Sequence, residues 1–114
     1  MTKKILIING PNLNLLGERE ESKYGKVTLD EVKKNCESHA KSNDLEIKFE
    51  QSNIEGELVT MIQNSKGIYD GIIINAAGYT HTSVAILDAL LAIKLPTVEA
   101  VSYTHLTLPT NREV

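Results

Sequence analysis

Two short apolar runs, each ending at an asparagine, limit most strongly what this chain can fold into. The first is Ile-Leu-Ile-Ile at residues 5–8, which stops at Asn9, and the second is Ile-Ile-Ile at residues 72–74, which stops at Asn75. Strands that are apolar on both faces are typical of a parallel sheet covered by helices on each side. The sequence therefore predicts an α/β protein, with the second run as a central strand.

Two helix signals lie between these two apolar runs. Thr28 and Glu31 have the spacing of a capping box, which predicts a helix over about residues 29–41. Ser52 and Glu55 repeat this spacing before a second helix. The predicted apolar face of that second helix contains Leu58, Met61, Ile62 and Ser65, and Gly67 takes the position of its C-terminal cap.

The remaining segments complete an alternation of strands and helices. Residues 45–49 alternate apolar and charged side chains, as an edge strand does, and a fourth strand is predicted to start at Thr97. A third helix is predicted to carry Val84, Leu87, Asp88, Leu91 and Ile93. The order βαβαβαβ with short links predicts a right-handed, doubly wound parallel sheet.

Composition and charge exclude several classes of function. The chain has 114 residues, of which 41% are hydrophobic and 24% charged, as expected for one globular domain with its own core. A net charge of −3 argues against a nucleic-acid-binding surface, and no apolar run is long enough for a membrane span. The single Cys36 and the lack of a Cys/His cluster predict a reduced, cytoplasmic protein without a metal.

The C-terminal segment differs from the rest of the chain. Residues 101–110 read as the in-frame translation of a widely used transposon-based sequencing adapter, and residues 111–114 fit its index and the bases that follow. We therefore expect a domain at residues 1–100 and an artefactual tail at residues 101–114. His105 lies in this tail and receives no role.

Polar segments at two strand ends are the candidate site. Ligands of open parallel sheets bind beyond the carboxyl ends of the strands, where residues 9–25 and 75–83 are expected. Asn9 and Asn75 stand where a phosphoacceptor receiver domain needs carboxylates, which excludes that class. Residues 10–14 match neither a dinucleotide fingerprint nor a P-loop.

Four side chains in these segments have chemistry to offer. The Tyr24 phenol becomes a usable base if a guanidinium such as Arg19 stabilises the phenolate, although both residues also fit a packed ring and a solvated cation. Asn75 and His81 lie among hydroxyl side chains and form a hydrogen-bonding surface for a ligand. His81 equally fits a structural capping residue.

Taken together, three motifs resemble the type II 3-dehydroquinate dehydratases. These are Ile-Asn-Gly-Pro-Asn-Leu-Asn-Leu-Leu-Gly at residues 8–17, Arg-Glu-x-x-x-Tyr-Gly at residues 19–25 and Asn-Ala-Ala-Gly-Tyr-Thr-His-Thr-Ser at residues 75–83. The resemblance covers residues 3–99 in order and spacing, with Glu21 in place of a family proline. It implies a flavodoxin-like fold and a cytoplasmic, cofactor-independent lyase of the shikimate pathway, which leads to aromatic amino acids.

The resemblance also implies a reaction, its site residues and an assembly. Water is eliminated in trans from 3-dehydroquinate, through an enolate, to give 3-dehydroshikimate in a homododecameric enzyme. Tyr24 would remove the C2 proton and Arg19 would stabilise its phenolate, while Asn12 would organise a water at the enolate. The remaining implied site residues are Asn75 and His81, which would hold substrate, Asp88, which would reach a neighbouring subunit, and Glu99, which would orient a general-acid histidine.

The chain departs from the family pattern after the fourth strand. The family has Glu-Val-His there, whereas this chain has Glu99, Ala100 and Val101, so the general-acid histidine is absent. A fifth strand and a last helix are expected to be missing as well, and this chain is expected to have little or no activity.

Two alternatives to an enzyme remain from the sequence alone. A non-catalytic flavodoxin-like module would bind a flavin or another small anion, which needs a phosphate-cradling turn that Pro11-Asn12-Leu13 does not provide. In a purely structural domain, four side chains would converge on no ligand: Arg19, Tyr24, Asn75 and His81.

Overall fold

Four parallel strands form the centre of the computed structural model, which describes residues 2–15, 28–77 and 83–100. The strands are β1 (Lys3–Asn9), β2 (Leu45–Gln51), β3 (Gly71–Asn75) and β4 (Thr97–Glu99), in the spatial order β2-β1-β3-β4. All three pairings are parallel. This order is that of the flavodoxin-like doubly wound sheet, so the predicted fold class is confirmed.

Within the described residues, three α-helices connect the strands: α1 (Leu29–Ser42), α2 (Glu55–Asn64) and α3 (Val84–Ile93). Thr28 caps α1 with the predicted capping box, because its side chain accepts from the Glu31 backbone and Glu31 reaches back to the Thr28 backbone. A short 3₁₀ turn, Leu13–Leu15, lies inside the segment that the sequence suggested was loop. None of the described helices is long and apolar enough to cross a membrane.

The start and end of α2 differ from the sequence prediction. The N-cap is Ile54, which makes no side-chain capping bond, so Ser52 and Glu55 do not form the predicted capping box. Ser52 Oγ instead accepts from the Ile54 amide at 2.9 Å and donates to Glu57 Oε1 at 2.5 Å, because the chain makes a tight turn before the helix begins. The C-cap is Ser65, two residues before the predicted Gly67.

Helices α2 and α3 cover one face of the sheet. The even-numbered apolar residues of β1 and β3 point to this face and are buried, with Ile8 and Ile74 at 0% exposure. They pack against apolar side chains of the two helices, of which Leu58 and Ile62 are also at 0%. The central position predicted for residues 72–74 and the edge position predicted for residues 45–49 are both observed.

Helix α1 lies against β2 on the other side of the sheet. An apolar groove of about 460 Å³ runs beside it and is lined by Ile7, Cys36 and Ile73, among others. A second groove of about 440 Å³ continues over Ile73 to Val98, which is 62% exposed. Burial, with a smaller effect from the charge of Glu37, raises the pKa of the Cys36 thiol.

Candidate active site

The carboxyl ends of β1 and β3 leave the sheet side by side. Asn9 and Asn75 are register partners, and the Gly10 amide donates to the Asn75 carbonyl at 2.8 Å. A Cβ on Gly10 would lie 2.5 Å from the Ala76 carbonyl oxygen, so the approach of the two backbones requires glycine. The first and third sequence motifs therefore begin at the same point of the fold.

Asn9 is a structural part of this edge. Its side chain is buried at 6% exposure, and Nδ2 donates to the Glu50 carbonyl at 3.0 Å. Its own carbonyl accepts from the Ser52 amide at 3.0 Å. These bonds hold the end of β1 to the end of β2. They also supply the partners that the buried polar groups of Asn9 need.

Asn12 lies just beyond Gly10 on the exposed surface of this edge. Its backbone is left-handed, with φ 68°. Its amide donates to Asn53 Oδ1 at 2.9 Å, and its carbonyl accepts from the Leu15 amide at 3.0 Å.

Asn75 ends β3 and shapes the loop that follows. Its Oδ1 accepts from the Ala77 amide at 3.2 Å, and Ala77 takes a left-handed backbone with φ 54°. Asparagine side chains commonly close turns in this way. The Nδ2 group makes no hydrogen bond to the described residues and has the chemistry to donate to a ligand.

Glu99 ends β4 at the same edge as Asn75. It is the register partner of Ile74, and the Ala100 amide donates to the Ile74 carbonyl at 2.8 Å. Its Oε1 atom is buried and has no hydrogen-bond partner among the described residues. A buried carboxylate oxygen calls for a donor, and the side chains of the next two residues, Ala100 and Val101, have none.

Helix α3 begins beside this edge and is tied to α2. Ser83 caps α3 by accepting from the Ile86 amide at 3.0 Å, while its hydroxyl donates to Glu55 Oε2 at 2.6 Å. Glu55 lies in the first turn of α2, where the helix dipole favours a negative charge. The last residue of the third motif is therefore held by a carboxylate from another helix.

Asp88 lies on the exposed side of α3. Its neighbours there are the exposed apolar side chains of Val84, Leu87 and Leu91. The structure thus brings together Asn12, Asn75 and Glu99 at one edge of the sheet, and it places Asp88 on the outer surface. The remaining predicted site residues Arg19, Tyr24 and His81 lie outside the described residues.

Two side chains at this edge, Gln51 and Asn53, were absent from the sequence-based site. Gln51 is the last residue of β2 and Asn53 lies two residues beyond it, at the same edge as the end of β1, so their position at a strand end was the signal that pointed to them. In the described parts of the chain, no group of three or more His, Cys, Asp or Glu side chains is arranged to hold a metal ion.

Fold and site together define an α/β protein of the doubly wound class, with a polar edge built from the carboxyl ends of the first and third strands. The family profile described as Dehydroquinase class II matches residues 3–114. The chain belongs to this family, as its motifs predicted.

Relatives and solved structures agree with this assignment. The chain is 52% identical over 110 residues to the 3-dehydroquinate dehydratase of Campylobacter hominis, an alignment that covers 96% of this chain and 68% of the relative. It is 54% identical over 96 residues to the 3-dehydroquinate dehydratase of a Nitratiruptor species, covering 84% and 62%. The chain therefore spans about two thirds of the length of these curated relatives.

The fold is also similar to that of solved type II dehydroquinases. The crystal structure of the type II dehydroquinase from Butyrivibrio crossotus superimposes with a TM-score of 0.84 and 41% identity. That match covers 86% of this chain and 69% of the other.

Proposed function

We propose that this chain carries the active-site edge of a type II 3-dehydroquinate dehydratase, a hydro-lyase that converts 3-dehydroquinate to 3-dehydroshikimate in the shikimate pathway. The observation that carries the proposal is the junction of two motif loops at one sheet edge, joined by the 2.8 Å bond from the Gly10 amide to the Asn75 carbonyl. In doubly wound sheets this edge is where ligands bind.

The chemistry divides between a base and the groups that stabilise charge. The Tyr24 phenolate takes the proton from C2, and the Arg19 guanidinium lowers the energy of that phenolate before the transfer. Asn12 holds a water against the enolate oxygen, and Asn75 and His81 hold substrate hydroxyls. Support comes from the motif match for all five residues and from the edge position of Asn12 and Asn75.

The group expected to protonate the leaving hydroxyl is absent from this chain. The buried Oε1 of Glu99, which has no partner among the described residues, fits a carboxylate that orients a histidine at position 101, where this chain has Val101. Loss of a general acid lowers the rate by about 10²–10⁴-fold. We therefore propose that the chain binds substrate and turns it over slowly or not at all.

The test follows the absorbance of the conjugated enone product. Residues 1–114 are compared with the A100V/V101H variant, which restores Glu-Val-His, and with the full-length Campylobacter hominis relative. We expect the unchanged chain to be at least about 100-fold slower than the relative and the double variant to gain activity. In the double variant, Tyr24→Phe should remove that gain. Equal turnover by the unchanged chain and the relative would contradict the role given to position 101.

We also propose that the working form is a homo-oligomer in the cytoplasm. Val84, Leu87 and Leu91 are 78%, 49% and 66% exposed on one side of α3, around Asp88. A second copy that covers this apolar stripe would receive Asp88 at its own site, in an assembly that in the family is a dodecamer. Leu91→Glu should then reduce the mass measured by sedimentation, whereas Gln63→Glu on α2 should not.

We propose further that residues 1–100 are the family domain and that residues 101–114 derive from the adapter, although the family profile extends over them. The support is the codon match of residues 101–110. Resequencing the source gene tests this proposal, because a genomic read that encodes Val101 to Thr110 would overturn it.

A further inference from the structure

Asn12 has a backbone conformation that the surrounding chain must enforce. Its φ of 68° lies in the left-handed region, which is unfavourable for residues with a Cβ, although asparagine tolerates it better than most. The Leu15 amide fixes the carbonyl side of Asn12 at 3.0 Å. The amide side of Asn12 is fixed by a residue distant in sequence.

That residue is Asn53, in the link between β2 and α2. Its Oδ1 accepts from the Asn12 amide at 2.9 Å and from Gln51 Nε2 at 3.2 Å. Gln51 Nε2 also lies 3.2 Å from the Gly10 carbonyl and 3.5 Å from Asn14 Oδ1. The two carboxamides therefore contact the described loop after β1 (residues 10–15, the β1 loop) before, at and after Asn12.

The contacts of Asn53 separate this arrangement from ordinary helix capping. The turn before α2 is closed by Ser52 Oγ, which accepts from the Ile54 amide at 2.9 Å. The Asn53 carboxamide oxygen instead accepts from two donors among the described residues, the Asn12 amide and Gln51 Nε2. The first donor belongs to the β1 loop, and the second also bonds to that loop at the Gly10 carbonyl.

We propose that Asn53 is a positioning residue for Asn12: its carboxamide oxygen holds the Asn12 amide and so sets the direction in which the Asn12 side chain leaves the sheet edge. The proposal rests on the proposed function, in which Asn12 organises the water at the enolate. A site of this kind needs supporting hydrogen bonds that fix the groups in contact with ligand. Asn53 acts through Asn12 and contacts no reacting atom.

The experiment uses the ¹⁵N-labelled chain and two readouts, hydrogen exchange of the Asn12 amide and affinity for 3-dehydroquinate. Asn53→Ala removes the acceptor, whereas Asn53→Asp keeps an oxygen in the same place. Asn64→Ala deletes an exposed carboxamide at the end of α2 and is the matched control. For Asn53→Ala we expect exchange about tenfold faster and affinity about fivefold lower, with Asn53→Asp and Asn64→Ala close to the unchanged chain.

Each outcome decides the proposal. Unchanged exchange of the Asn12 amide in Asn53→Ala overturns it. Faster exchange with unchanged affinity also overturns it, because Asn53 would then serve the turn alone. If the unchanged chain does not bind 3-dehydroquinate, the proposed function fails separately, and the exchange rates with the Asn53→Asp rescue still decide whether Asn53 holds Asn12.

Discussion

Two glycines with opposite surroundings illustrate how single residues shape this edge. An added Cβ at Gly10 would lie 2.5 Å from the Ala76 carbonyl oxygen and 2.7 Å from its carbon, both backbone atoms that cannot rotate away. An added Cβ at Gly56, within α2, would meet nothing within 4 Å. The first glycine is required by contact between the two site loops, and the second is not required by any contact.

Alanine at these two positions should therefore change stability in opposite directions. Gly10→Ala should lower the free energy of unfolding by about 1–3 kcal/mol, because the β1 and β3 loops must separate. Gly56→Ala should raise it by about 0.4–1 kcal/mol, because alanine restricts the unfolded chain and suits a helix. Urea unfolding measures both, and equal stability of the two variants would contradict the close approach of the loops.

Cys36 should react slowly as a nucleophile near neutral pH. Burial, followed by the Glu37 charge, raises its pKa, so less thiolate is present than for a free cysteine. Iodoacetamide labelling should be slower in the folded chain than in urea, and its rate should rise with pH beyond the usual cysteine range. The raised pKa also makes stability depend on pH. The Cys36 contribution to the free energy of unfolding is fully present below the pKa of the unfolded state, and it is lost as pH rises through the pKa of the folded state. Equal labelling rates in folded and unfolded chains would contradict this environment.

At the scale of elements, local patterns were predictable and long-range contacts were not. The Thr28–Glu31 box, the buried β3 and the edge strand β2 all followed from short-range spacing and are observed. The Ser52–Glu55 box failed because Ser52 closes the preceding turn and Glu55 faces another helix.

Site contacts between distant segments show the same limit. Asn12 and Asn53 are 41 positions apart, and Ser83 and Glu55 are 28 apart. Sequence spacing carries no information on such pairs. The strand order brings these segments together, so they emerged only from the structure, whereas the motif loops themselves were predictable from the strands that they follow.

The bond between Ser83 and Glu55 limits which residues can cap α3 at position 83. Ser83→Ala should lower the free energy of unfolding by about 0.5–2 kcal/mol, because the Ile86 amide loses its acceptor. Ser83→Asp should not restore stability although aspartate is a good cap, since Glu55 Oε2 lies 2.6 Å from the Ser83 hydroxyl. Ser83→Asn is the control, because asparagine is also a good cap and adds no negative charge beside Glu55. A fully stable Ser83→Asp variant would contradict the reported contact.

At the scale of the whole molecule, the two faces of the sheet are covered unequally. Helices α2 and α3 bury one face, whereas α1 leaves an apolar groove on the other that extends to Val98 at the outer strand. Exposed apolar surface on an edge strand favours association between chains.

Replacing Val98 by lysine should therefore reduce self-association of the chain. Val98 is 62% exposed, so Val98→Lys should change the free energy of unfolding by no more than about 0.5 kcal/mol. Gln63→Lys adds the same charge on α2 without removing apolar surface and controls for net charge. Light scattering as a function of concentration measures the effect, and an equal reduction by both variants would assign it to charge alone.

The central claim is that the carboxyl edge of the sheet, at the junction of the β1 and β3 loops, binds 3-dehydroquinate. The most direct measurement is a titration of the ¹⁵N-labelled chain with this compound, followed by the amide signals of the backbone. We predict saturable shifts at Asn12, Asn75 and Ala77, and no shifts at the opposite edge, where the Lys4 amide donates to Asp70 Oδ2 at 2.8 Å. Shifts confined to that opposite edge or to the groove beside Cys36, or no saturable shifts at all, would contradict the claim.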